Sequence, residues 1–85
     1  MDVERLEAIL RRDGLAAASQ WLRRAIAGTP NQGLFYMLLA LGAGRAGLDG
    51  QASRLFRLHC LIHPGDLQGY YNFGNFRLRL EQRDE

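Results

Sequence analysis

Apolar residues along this chain recur at helical intervals, and glycine or proline interrupts them at regular places. From Asp2 to Arg12, Val3, Leu6, Ile9 and Leu10 mark one helix face, and Asp13-Gly14 breaks it. Leu15 to Ala27 makes a second helix that ends at Gly28-Thr29-Pro30. A third is expected from about Gln32 to Arg45, stopping at Gly47. A fourth follows from Asp49 to Ile62, with Asp49 a candidate N-cap. His63-Pro64-Gly65-Asp66 closes the fourth, and Asp66 stands where it would cap a fifth helix from Leu67 to about Gln82. Helices of this length joined by tight turns form antiparallel hairpins.

The pattern repeats. Pro30 and Pro64 are 34 residues apart, and the same offset places Ala18 on Ala52, Leu22 on Phe56 and Ile26 on Cys60. It also places Tyr36 on Tyr70, Leu39 on Phe73 and Ala40 on Gly74. Small residues fall on small and large apolar residues on large; the exception is Ala25, which falls on His59. Two helices approach closely only where small side chains meet, so Ala40, Ala52 and Gly74 are expected contact points, with Tyr36, Leu39, Phe56 and Phe73 filling the spaces beside them.

In these residues the sequence resembles the tetratricopeptide repeat family. Tyr36, Leu39, Ala40, Ala52, Phe56 and Pro64 fit one whole unit, and Tyr70-Tyr71-Asn72-Phe73-Gly74-Asn75 fits the opening of the next almost residue for residue. Ala43 stands where that family usually has a second aromatic residue, and His59 where it has a small one. The first unit matches through Ala18, Leu22, Ala25 and Pro30, and through Val3, Leu6 and Leu10 after the turn at Gly14 is shortened by one residue. The resemblance implies an all-α fold, a right-handed superhelical stack of antiparallel hairpins with five helices. Residues 1–31 would be a degenerate repeat, 32–65 a full repeat, and 66–85 the first helix of a further one.

Composition agrees with an all-α chain. Leu, Ala and Arg are abundant, whereas Val3, Ile9, Ile26, Thr29 and Ile62 are the only β-branched residues, too few to build strands. The 85 residues allow one small domain, and a net charge of +2 is too balanced to argue for nucleic acid. All basic residues are Arg, which with the Ala and Gly content suggests a GC-rich bacterial source. A single cysteine, Cys60, excludes an intrachain disulfide and fits a reducing compartment. The apolar stretch around Leu38 to Ala43 is far too short to span a bilayer, and Asp2, Glu4, Arg5 and Glu7 break any secretory signal. A cytoplasmic protein without membrane contact is expected.

The resemblance further implies a concave groove lined by the first helix of each hairpin. Its groove positions here would be Leu34, Met37, Leu38 and Leu41, then Gln68, Tyr71, Asn72, Asn75 and Arg79. Asn reads a peptide backbone through one donor and one acceptor group, and Met and Leu offer an adaptable apolar floor. The family's clamp for a C-terminal carboxylate is not carried over, because Asn72 lies in the third unit and the chain has no Lys. The expected function is a non-catalytic protein- or peptide-binding module, an adaptor, chaperone or assembly scaffold, without a cofactor. An alternative is the N-terminal part of a longer protein such as a bacterial glycosyltransferase or sulfotransferase.

Other chemistry is thinner. His59 and His63 are i,i+4 on a helix, a spacing that lets two imidazoles share a metal and supports a third reading as a metal-binding protein. Cys60 reads as a small buried residue, and no nucleophile is placed with the partners it would need. Gly42, Gly44, Gly47 and Gly50 look superficially like a phosphate loop but follow no strand and carry no Lys. Arg23, Arg24, Arg54 and Arg57 read as a solvated face. The fifth helix lacks a hairpin partner, so Phe73, Phe76 and Leu80 are expected to form an exposed apolar end surface, open to a partner protein or to a second copy of the chain.

Overall fold

Helix boundaries follow from local chemistry. The computed structural model describes residues 3–83. Five α-helices run in order over them: α1 (Val3–Asp13), α2 (Leu15–Ile26), α3 (Phe35–Arg45), α4 (Asp49–Ile62) and α5 (Leu67–Arg83), with a 3-10 turn over Pro30–Leu34. One residue, Gly14, separates α1 from α2 at φ +91°, a backbone state that side chains rarely allow. Gly47, at φ +79°, ends α3 in a Schellman motif: Leu48 N–H donates to Ala43 O at 2.9 Å and Gly47 N–H to Gly44 O at 3.2 Å.

The third helix starts later than the sequence pattern implies. Thr29 caps the turn instead, its Oγ1 accepting from Asn31 N–H at 3.1 Å and donating to Ile26 O at 2.6 Å, and Pro30 follows as the first residue. Asn31 and Gly33 are weak helix formers, so this stretch winds as a tighter 3-10 turn before Phe35. Asp49 also differs from expectation. It lies in the first turn of α4, one residue past the N-cap position held by Leu48, where its charge suits the helix dipole.

Helices adjacent in the chain pack on one another. α1 packs on α2 and α3, α3 packs most extensively on α4, and α5 packs on α4. The result is a slab of 41 × 33 × 17 Å, two helices thick. α3 lies at its centre: Met37, Leu38, Leu39, Ala40, Gly42 and Ala43 are all buried. The core joins them to Leu6, Leu10, Ala18, Leu22, Ile26, Ala52, Leu55, Phe56 and Phe76. None of the described helices is long and apolar enough to cross a membrane.

Two close helix approaches are at glycines of α3. A Cβ on Gly42 would meet Leu6 Cγ at 2.9 Å and Leu10 Cδ1 at 3.1 Å, so α1 sits directly on the α3 backbone. A Cβ on Gly44 would meet the Phe76 ring at 3.3 Å. Gly42 and Gly44 therefore space helices, while a Cβ at Gly47 or Gly50 would meet open space. Exposed charges reinforce the α1–α3 joint: Arg45 pairs with Glu7 at 3.0 Å and Glu4 at 3.8 Å, and Arg11 donates to Arg45 O at 2.7 Å.

Two alanine substitutions separate space from backbone conformation. Gly42→Ala has an ordinary helical backbone but no room, so overpacking of about 1–3 kcal/mol exceeds the helix-propensity gain of up to about 1 kcal/mol. Gly47→Ala has open space around it but the wrong φ, and should cost about 1–2 kcal/mol. Urea unfolding of the two variants measures both; a stabilised Gly42→Ala would show that α1 does not seat on α3.

Candidate interaction surfaces

A buried imidazole and a helix cap set the position of α5. Asp66 caps α5 as expected, its Oδ1 accepting from Gln68 N–H at 3.1 Å. Its Oδ2 accepts from His59 Nε2 on α4 at 2.7 Å. His59 is 1% exposed and lies against the bare backbone of Gly69, where a Cβ would stand 2.7 Å from its ring. The hydrogen bond from His59 holds the Asp66 carboxyl below its ordinary range, and the Gln68 amide adds to the effect. With Nε2 donating, Nδ1 is a buried acceptor without a hydrogen-bond partner among the described residues.

The expected groove residues divide between core and surface. Met37 and Leu38 are buried and Leu34 and Leu41 half-buried, because α3 is enclosed by α1, α2, α4 and α5, which leaves little of an apolar floor open. On α5 the same expectation meets an open surface. Gln68, Tyr71, Asn75 and Arg79 are exposed and, with half-buried Asn72, follow one stripe at helical spacing. Gln68 Nε2 donates to Asn72 Oδ1 at 3.3 Å, and Asn72 Nδ2 lies 3.3 Å from Met37 Sδ on α3. Asn72 thus ties α5 to α3, while Tyr71, 65% exposed, stands clear. Beside the stripe a cleft of about 380 Å3 is lined by Gly44, Arg45, Phe76, Arg79 and Gln82.

The apolar end surface lies elsewhere than expected. Phe76 is 2% exposed, and Phe73 and Leu80 are half-buried against the core. The reason is aromatic: Phe56 of α4 stacks on Phe73 at 5.5 Å between ring centres and meets Phe76 at 5.4 Å, so α5 turns these side chains inward. α5 is therefore not unpaired; one of its faces is. Leu58, Leu61, Ile62, Leu67, Tyr70 and Leu78 are the large apolar residues left exposed with Tyr71. Between α4 and α5 a groove of about 440 Å3 is lined by Cys60, Leu61, Tyr70, Phe73 and Gly74, with Arg57 and Arg77 also in its wall. Gly74 was expected at a helix contact, and it is exposed instead.

The remaining chemistry finds no site. The His59 and His63 rings are 4.9 Å apart, but Asp66 occupies His59 Nε2 and the other ring nitrogen is buried, so the pair does not present two open ligands. Among the described residues no three His, Cys, Asp or Glu side chains are placed to hold a metal. Burial, and then the negative charge of Asp66, push the Cys60 thiol up from its ordinary value, the opposite of an activated nucleophile. Arg23, Arg24, Arg54 and Arg57 are exposed, and Arg23 lies over the Phe35 ring at 4.4 Å. No protein-family model, curated protein or solved structure matches the chain.

The Asp66 joint predicts a pH dependence. A carboxyl held below its ordinary value of 3.8 contributes stability that is present above that value and lost as pH falls through the lowered one. Melting temperatures of the native chain should fall as pH drops below about 4, and Asp66→Asn should be less stable at pH 7 with a shallower acid limb. Parallel acid limbs in the two proteins would count against the joint.

Proposed function

We propose that this chain is a non-catalytic protein-binding module, a tetratricopeptide-like stack of helical hairpins that takes a partner's peptide segment along the exposed face of α5. The observation that carries this reading is the stripe of Gln68, Tyr71, Asn72, Asn75 and Arg79. An exposed aromatic ring, amide groups and a guanidinium offer stacking, backbone hydrogen bonds and charge along one line. Asn72 is held in place by Gln68 and Met37, which lowers the entropy lost when a peptide settles there. The Arg79 side chain at the cleft beside the stripe suits a segment with an acidic residue.

The slab architecture supports the same reading. Its interior is filled by side chains, so what a partner meets is the outer faces of the helices. Adaptor, chaperone and assembly-scaffold roles all rest on such a face, and the identity of the partner follows from what binds it.

Binders selected from a random-peptide display library against the native chain test the reading. Tyr71→Ala/Asn75→Ala should weaken the selected peptides about tenfold or more in fluorescence anisotropy, a loss of about 1.4 kcal/mol. Both positions are exposed, so the variant should melt as the native chain does. Undiminished binding by a folded double variant would remove this face from consideration.

A further inference from the structure

We infer that the groove between α4 and α5 is a second docking site, and that its occupant is an acidic amphipathic helix supplied by a partner protein. The repeat itself defines the space. At the 34-residue offset, Ala40 and Ala43 of α3 correspond to Gly74 and Arg77 of α5. Both alanines are 0% exposed and lie on the helix that packs most extensively with α4. Gly74 is exposed, and a Cβ added there would meet nothing within 4 Å. Tyr36 is half-buried and its counterpart Tyr70 exposed. Positions that are covered on α3 are thus open on α5, and a helix laid there would cover the groove.

The charges identify the kind of helix. Where α3 has Ala43, α5 has Arg77, its guanidinium 5.8 Å from the Phe73 ring, and Arg57 stands in the α4 wall. Among the described residues neither arginine has a carboxylate partner. A purely apolar helix seated there would cover guanidinium groups without pairing them, which costs more than the added apolar contact returns. A helix with apolar and small residues toward Gly74 and Tyr70, flanked by Asp or Glu, buries the strip and pairs both cations. Leu61, 73% exposed, adds apolar surface next to the groove.

A displayed library of 14-residue helices tests this, each with a fixed Ala, Leu, Phe stripe at the spacing of Ala52, Leu55 and Phe56 and flanks varied among Glu, Lys, Gln and Ala. Panned against the full chain, the enriched sequences should carry Glu beside the stripe. The best of them, labelled with fluorescein, should bind about tenfold more weakly or worse once its Glu residues are changed to Gln, and likewise to the Arg77→Glu variant. Gly74→Leu fills open space, so it should keep the native melt and abolish binding; Tyr71→Ala/Asn75→Ala should leave binding unchanged. The proposal is overturned by an absence of enriched helices, by enrichment without acidic bias, or by binding that survives Gly74→Leu. It is equally overturned if light scattering shows a dimer that Gly74→Leu dissolves, or if the groove binds anionic vesicles and no helix.

Discussion

Helix α3 can be surrounded because it carries so little side chain where its neighbours approach. Ala40, Gly42, Ala43 and Gly44 leave the backbone nearly bare, and two of its neighbours use that space. Leu6 and Leu10 of α1 sit on Gly42, and Phe76 of α5 rests against Gly44. Dispersion falls off over fractions of an ångström, so a stack of short helices holds together only with such close approach. The rest of the slab follows. Once α1 and α4 are seated on α3, Leu22, Phe56 and Leu39 close the core between them.

The α4–α5 joint solves the same problem with different residues. His59 is large where the preceding unit has Ala25, and Gly69 is small where it has Phe35, so bulk has changed sides between the two elements. The imidazole gains a hydrogen bond to Asp66 in exchange, and Asp66 caps α5 at the same time. One carboxylate therefore fixes both where α5 starts and how it leans on α4. Phe56, Phe73 and Phe76 complete the joint with stacked rings, which turn the aromatic face of α5 inward.

That lean divides α5 into three faces. Phe73 and Phe76 look to the core. Tyr71, Asn75 and Arg79 form a polar and aromatic stripe, and Tyr70, Gly74 and Arg77 line an apolar groove with charged edges. Two partner surfaces of different chemistry on one helix would let an adaptor hold a peptide and a helix together.

Helix number and type were legible from periodicity, because apolar spacing and turn residues such as Gly14, Gly47 and Pro30 act locally. The 34-residue offset also paired residues that the fold buries, since Ala18, Leu22, Leu39, Ala40, Ala52 and Phe56 are all in the core, although Ala25 is exposed and Tyr36 half-buried. The Asp66 cap was readable for the same reason: a cap depends on residues two or three positions away. Burial on α5 was not. Phe76 is covered and Tyr70 and Gly74 are open because Phe56, His59 and Gly69 set the rotation of α5 on α4, and rotation about a helix axis is absent from a one-dimensional pattern. Met37 and Leu38 went to the core instead of a groove floor for a related reason: a helix enclosed from every side has no free face, and enclosure is a property of the assembled neighbours.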